Sequence, residues 1–196
     1  MLVGNKARFA IETHINQYVI FEKHEWLYGR FLFYCNNLTI GDLKDDFVVL
    51  PACYGWLMEF LYYRIKHVIH DELFKLSKEK LWAIICEENE KACPFNLSDD
   101  FYINQCPYFR LSEIGSTSFD EFEVIFIKNS LGNERLLWKD YSSTEKVVND
   151  FKLEPMEFEN ILLTFETEFK NYCSSNPILA KVDIGRILNW DALKKK

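Results

Sequence analysis

A chain of 196 residues is long enough to bury roughly 70% of its unfolded surface without a metal or a disulfide, and short enough to predict one domain spanning 1–196. Its 48% hydrophobic and 27% charged residues exclude a disordered protein. The net charge is −7, from 30 acidic and 23 basic residues; no basic face for neutralising phosphates is visible in the sequence, and no direct nucleic-acid partner is expected.

Six cysteines, Cys35, Cys53, Cys86, Cys93, Cys106 and Cys173, form no CxxC pair. Several fall at apolar positions of predicted elements, where a thiol behaves as a small hydrophobe, and no disulfide is expected. Residues 1–10 lack the apolar core of a secretory signal. No run approaches the roughly 18 apolar residues that cross a bilayer. A cytoplasmic location with reduced thiols follows as the expectation.

Along the chain, Arg8 to Ile15 alternates, with Phe9, Ile11, Thr13 and Ile15 on one face, and predicts a half-buried strand. Gln17 to Lys23 reads as a loop. Trp26 to Cys35 is apolar on both faces, which predicts a strand central in its sheet. Gly29 inside it predicts a bulge or a close backbone contact. Asn36-Asn37 suits a tight hairpin turn, because Asn tolerates positive φ, and Leu38 to Ile40 is the return strand.

Pro51 suits the first turn of a helix. Cys53, Trp56, Leu57, Phe60, Leu61, Ile65 and Val68 recur at helical spacing and predict a helix to about His70. Ser77 is a natural N-cap for a second helix reaching Glu88. The acidic stretch 87–100, with Pro94, reads as a loop or a partner-facing insertion. Tyr108 to Ile114, Phe119 to Ile127, Arg135 to Lys139 and Val147 to Leu153 read as strands. Pro155 opens a further helix with the stripe Phe158, Ile161, Leu162, Phe165, Phe169 and Tyr172. After Asn176-Pro177, residues 177–196 form a C-terminal extension with one short helix near Asp183 to Leu193. The fold class expected is α+β: a largely antiparallel sheet built from hairpins, packed against two or three amphipathic helices.

No residue pattern carries chemistry. His67 and His70 stand three apart, a spacing metal sites use, but no further Cys or His lies near them, and the simpler reading is a solvated helix end. No GxSxG, no phosphate-binding Gly loop and no HExxH occurs. Neither a catalytic group nor a metal or cofactor site is expected. The carboxylates cluster instead: Asp42, Asp45 and Asp46; Glu87, Glu88 and Glu90; Asp99 and Asp100; Asp120 and Glu121, with Glu123 close by. Each cluster reads first as solvated surface, and second as a face for a basic partner steered in by the field. The closing Lys194-Lys195-Lys196 reads as a solvated tail. High aromatic content, 16% with 17 Phe, fits a ring-rich core with some rings left as interface anchors.

One resemblance adds to this. Gly4-Asn-Lys-Ala-Arg-Phe-Ala-Ile-Glu12, Trp26-Leu-Tyr-Gly-Arg-Phe31 and Ile40-Gly-Asp42 are similar to the start of the immunity protein 42 family. Tyr108-Phe-Arg-Leu111, Phe119-Asp-Glu-Phe-Glu-Val124, Glu134-Arg-Leu-Leu-Trp138 and Glu157-Phe-Glu159 agree in order and spacing. The similarity covers about 1–163. Its motifs are structural patterns, not catalytic ones. It implies a cytoplasmic bacterial protein made beside a toxin of the polymorphic-toxin or contact-dependent-inhibition kind, which binds that toxin and blocks it without catalysis. Many such toxins act on nucleic acids and present basic surfaces, so the toxin-facing residues expected are the acidic ones: Asp42, Asp45, Asp46, Glu87, Glu88, Glu90, Asp99, Asp100, Asp120 and Glu121. The residues alone leave two other readings open: an interaction module unrelated to toxins, and a small hydrolase with a spatially assembled carboxylate or Cys–His site. Whether the protein is a monomer or a homodimer is not legible in the sequence.

Overall fold

The computed structural model describes residues 1–22, 24–112 and 116–188, with the side chains of Glu90 and Arg186 left aside. In chain order the strands are β1 (Leu2–Gly4), β2 (Phe9–Phe21), β3 (His24–Cys35), β4 (Leu38–Ile40), β5 (Val48–Val49), β6 (Phe122–Lys128), β7 (Glu134–Asp140) and β8 (Val148–Leu153). The helices are α1 (Leu50–Tyr62), α2 (Asp71–Phe74), α3 (Lys78–Ile85), α4 (Asp99–Asn104), α5 (Glu157–Ser175) and α6 (Ile184–Ile187), with short 3-10 turns between them. The fold is α+β with antiparallel sheets. Contacts divide the chain into two compact units, one of residues 1–61, 113–120 and 159–196, the other of 62–112 and 121–158.

The first unit is built on a five-stranded sheet, β1-β2-β3-β4, with β5 paired to the far part of β3. β3 is central, as its two apolar faces predict: β2 flanks it on one side, β4 and β5 on the other. Asn36 and Asn37 close the β3–β4 turn with φ of 52° and 61°, the paired positive angles a two-residue hairpin requires. On the inner face, Phe9, Phe31 and Phe33 are fully buried. Phe33 lies 5.0 Å from Phe119, and Phe31 meets Phe165 of α5 edge-on at 5.8 Å. Phe169, one turn on, stacks on Tyr54 of α1 at 5.5 Å. α1 and α5 thus cover one face of the sheet with rings, whose burial is the largest apolar contribution available to a unit of this size.

Gly29 marks a close backbone approach within that sheet. A Cβ there would sit 1.9 Å from the carbonyl oxygen of His14 and 2.8 Å from Cδ1 of Leu50. One residue on from its partner Ile15, the β2–β3 register shifts, so that Asn16 is bulged out. The expected loop at Gln17 to Lys23 is a strand over 17–21: β2 continues to Phe21, paired residue for residue with His24 to Tyr28, Glu22 is in the turn, and Lys23 lies outside the described residues. Polar Gln17 and the bulge hid a strand whose alternation restarts one residue out of phase.

The second unit holds a three-stranded sheet, β6-β7-β8. Ile125, Ile127 and Leu137 pack on it with Leu81, Trp82, Ile84 and Ile85 of α3. Ser77 caps α3 as expected, its hydroxyl accepting from the Lys80 N–H at 3.4 Å. Arg135 is 4% exposed and makes four hydrogen bonds: it donates twice to Asp150 at 2.7 Å, and to the carbonyls of Phe74 and Leu76 at 2.8 and 2.9 Å. The fork geometry of the guanidinium makes that four-way contact available to Arg and not to Lys. Glu134, 1% exposed, accepts from the Phe158 N–H at 2.7 Å and so places a carboxylate at the positive end of α5.

Three expectations are corrected. Residues 108–112 do not form the expected strand: Pro107, with its fixed φ, opens a 3-10 turn over Cys106–Phe109, and only Arg110 makes an isolated bridge, to Ile125; Glu113 and Ile114 lie outside the described residues. Pro155 does not open α5, which starts two residues later, after Met156 at φ 64°. The first helix stops at Tyr62 instead of His70, and a 3-10 turn, Arg64–His67, follows. Ile65 is therefore 77% exposed, while His67 turns inward, edge-on to Phe126 at 5.5 Å. Of the predicted C-terminal helix, Ile184–Ile187 is seen; residues 189–196, with the lysine tail, lie outside the described residues.

Two outcomes are expected. Gly29→Ala should cost about 3 kcal/mol in urea unfolding, since the new methyl must displace backbone and not a flexible side-chain end. Burial, with Lys128 adding to it, lowers the His67 pKa to about 3. The unfolded histidine titrates near 6.5, so the folded state binds fewer protons between these values. Its contribution is whole above about 6.5 and is lost as pH falls toward 3, on the order of a few kcal/mol. The drop in urea midpoint between pH 7 and pH 4 should shrink in His67→Leu.

Candidate functional site

The acidic triplet 42–46 forms the loop between β4 and β5 in the first unit. Most of its polar atoms hold the loop itself. Asp42 accepts from the Lys44 N–H at 2.8 Å, and its own N–H donates to the carbonyl and hydroxyl of Ser118 at 2.8 and 2.9 Å. Asp45 accepts from the Phe47 N–H at 3.0 Å and from the Thr117 hydroxyl. Such Asx turns are the reason Asp favours loops. Asp46 differs: its side chain is half exposed and stands 3.8 Å from Nε of Arg30, at the distant end of an ion pair. Gly41, at φ 113°, is the hinge by which the chain leaves β4 into this loop.

Asp120 is exposed on the same unit, at the end of a 3-10 turn. The remaining predicted residues, Glu87, Glu88, Glu90, Asp99, Asp100 and Glu121, belong to the second unit. Glu87 and Glu88 are exposed just past α3, with Glu88 at φ 51°; the side chain of Glu90 is outside the described residues. Asp99 and Asp100 occupy the first turn of α4, where the helix dipole favours them, and Asp100 accepts from Asn104 at 2.7 Å. Glu121 is exposed, its carbonyl accepting from the Tyr141 N–H. Its neighbour Glu123 is more enclosed, 3.6 Å from Arg110 and 3.1 Å from the Tyr141 hydroxyl. Burial and that carboxylate push the Tyr141 hydroxyl up to about 12. The ten acids therefore fall on separate loops, short turns and the start of α4, four in one unit and six in the other.

The histidine pair parts: His67 is buried, whereas His70 caps α2 through Nδ1, 3.5 Å from the Glu72 N–H. Among the described residues no three His, Cys, Asp or Glu side chains converge as a metal site. Burial pushes the thiols of Cys53, Cys106 and Cys173 up to about 12, and burial with Glu123 raises Cys86 as well. These sulfurs are protonated at neutral pH and pack as hydrophobes.

Sequence reasoning missed the outer arm of the β2–β3 hairpin. Beyond the bulge, opposed pairs share a face, and Val19 faces Trp26 while Phe21 faces His24. Trp26 stacks on Tyr28 at 6.2 Å. Phe21 is 63% exposed, Ile20 64% and Trp26 37%. The β4–β5 loop adds exposed Leu43 and Phe47, and Arg30, two residues along β3 from Tyr28, ties that loop on by donating to the Leu43 carbonyl at 3.2 Å.

Against known families, the model described as Immunity protein 42 matches residues 1–168. The chain belongs to the Immunity protein 42 family. The match takes in both sheets, the acidic loops and the hairpin arm, and ends within α5. No curated protein and no solved structure matches the chain. Membership in an Immunity protein 42 family places it among proteins that counter a toxin. Among the described residues, no helix is long and apolar enough to cross a membrane.

The loop geometry separates structural carboxylates from available ones. Asp45→Ala should lower stability by about 1 kcal/mol through the lost turn and the Thr117 contact, whereas Asp46→Asn, which removes only a long surface pair, should stay within about 0.5 kcal/mol. Thermal unfolding of the two variants checks the order.

Proposed function

We propose that this protein is a cytoplasmic bacterial immunity protein that binds one cognate toxin domain directly and neutralises it, without catalysis of its own. The family match over 1–168 carries the proposal. Three features support it. The chain bears a net charge of −7, suited to rapid capture of a basic toxin such as one acting on nucleic acid. Asp42, Asp45 and Asp100 hold a loop and the start of a helix, and Glu123 pairs with Arg110, so these carboxylates have structural work. Its buried thiols are held in the protonated form. Inhibition by binding needs none of these groups to react. It needs a stable interface of about 800 Å² per partner, anchored by a few large side chains.

The test is co-expression with the toxin domain encoded by the neighbouring gene. Cells producing both should grow as cells producing neither, and the purified pair should elute as one complex. Cells that die as readily with this protein as without it exclude the function. A gene neighbourhood free of toxin and secretion genes favours an interaction module of another kind.

A further inference from the structure

The end of the β2–β3 arm is an unusual thing to leave exposed, Leu27 on its inner face being buried. Residues 17–21 and 24–27 form a two-stranded ribbon, and among the described residues no third strand pairs with either side of it. Two-stranded ribbons with apolar faces are poorly stable by themselves and prone to edge-to-edge association. This one carries Phe21 and Trp26 on one face and Ile20 on the other. Phe21 and Trp26, with Leu43 and Phe47 of the adjoining loop, leave roughly 450 Å² of side-chain surface open to solvent, by the usual areas of such side chains. That is within the range of the largest apolar patch on a typical monomer. It is also about the apolar share of a standard interface of ~800 Å² per partner.

The bulge at Asn16 creates this surface. On the inner half of β2, odd-numbered residues face the core: Phe9, Ile11 and Ile15 are opposed to Cys35, Phe33 and Gly29. Without the extra residue, Val19 and Phe21 would continue on that same side. The shift opposes them to Trp26 and His24, on the side away from Phe31 and Phe33, and so brings two apolar residues next to Trp26 and Tyr28. Charge surrounds the patch unevenly. In residues 16–30 and 42–49 carboxylates outnumber lysine and arginine by five to three. Exposed Glu22 lies at the ribbon's turn, and Asp42 and Asp46 on the loop. Apolar anchors inside an acidic rim fit a protein surface that is itself apolar at its centre and lined with Lys and Arg.

We infer that the β2–β3 ribbon, with Phe21 and Trp26 as anchors and the 42–47 loop as an acidic rim, is the face that engages the cationic surface of the toxin. This inference rests on the proposed function and says where that function resides. The second unit's acidic stretch 87–100 is then not the main contact, in contrast to what its composition suggests.

The experiment measures binding of the toxin domain from the neighbouring gene, made catalytically inactive, to full-length variants by biolayer interferometry and size-exclusion chromatography. Phe21→Ser with Trp26→Ser should weaken binding about 30-fold or more, as truncation of central anchors does. Glu22→Lys with Asp46→Lys should slow association at low salt and flatten its salt dependence. Ile65→Ser, an exposed aliphatic residue of the second unit, should change nothing. Circular dichroism melts confirm that each variant is folded, and the single variants Phe21→Thr and Trp26→Tyr, compatible with a strand, replace any that is not. Wild type that binds, with all ribbon variants binding equally well, overturns the inference and leaves the immunity function standing. Loss of binding in Ile65→Ser alone does the same. Wild type that does not bind the toxin overturns both. A wild-type homodimer that the Phe21 and Trp26 substitutions split, with toxin binding intact, assigns the ribbon to self-association and overturns the inference.

Discussion

The first unit depends on how closely β2 and β3 can approach. At Gly29 the two backbones leave no room for a methyl group: the His14 carbonyl occupies the place a Cβ would take. This contact locks Ile15 opposite Gly29, and the bulge follows at once. Upstream of it, the pair of strands is the floor of an aromatic core that reaches α1 and α5 through Phe31, Phe165, Phe169 and Tyr54. Downstream, the same two strands continue as a ribbon whose faces are exchanged. A single hairpin thus carries a packed half and, past the bulge, an end that leaves Ile20, Phe21 and Trp26 exposed while Leu27 stays buried.

The second unit rests on buried polar groups. Arg135 reaches Asp150 and two carbonyls from the middle strand, and Glu134, its neighbour, turns to the other face and caps α5. Opposite charges on adjacent residues of one strand project to opposite sides of the sheet, so each meets its own partner. Groups of this kind cost more to leave unmatched than they contribute when matched. They specify which ends of the flanking segments dock.

For function, the distinction between carboxylates that hold the protein and carboxylates that face solvent is decisive. Asp42 and Asp45 each accept an N–H of the loop they build, whereas Asp46 makes only a long ion pair and Glu22 is exposed at the hairpin's turn. An acidic cluster is a composition; whether it offers a field to a partner depends on what its oxygens already accept. The aromatic residues divide in the same way. Phe31 and Phe33 are wholly enclosed, and Trp26, in the same strand, is not.

By itself the sequence determined the α+β class, the centrality of β3, the Asn36-Asn37 turn, the Ser77 cap, the strands β6 to β8 and the family. Each of these follows from local chemistry: alternation, positive-φ tolerance, capping and a chain of motifs in fixed order. Only the tertiary structure decided the rest. It turned Gln17 to Phe21 from a loop into a strand, ended α1 at Tyr62, replaced the Tyr108 strand by a turn at Pro107 and drew His67 inward. It also scattered the acids and exposed the rings at the hairpin's end. Those outcomes hang on register and on which residue meets which across the sheet. A one-residue bulge leaves almost no mark on composition, yet reverses the facing of every side chain beyond it.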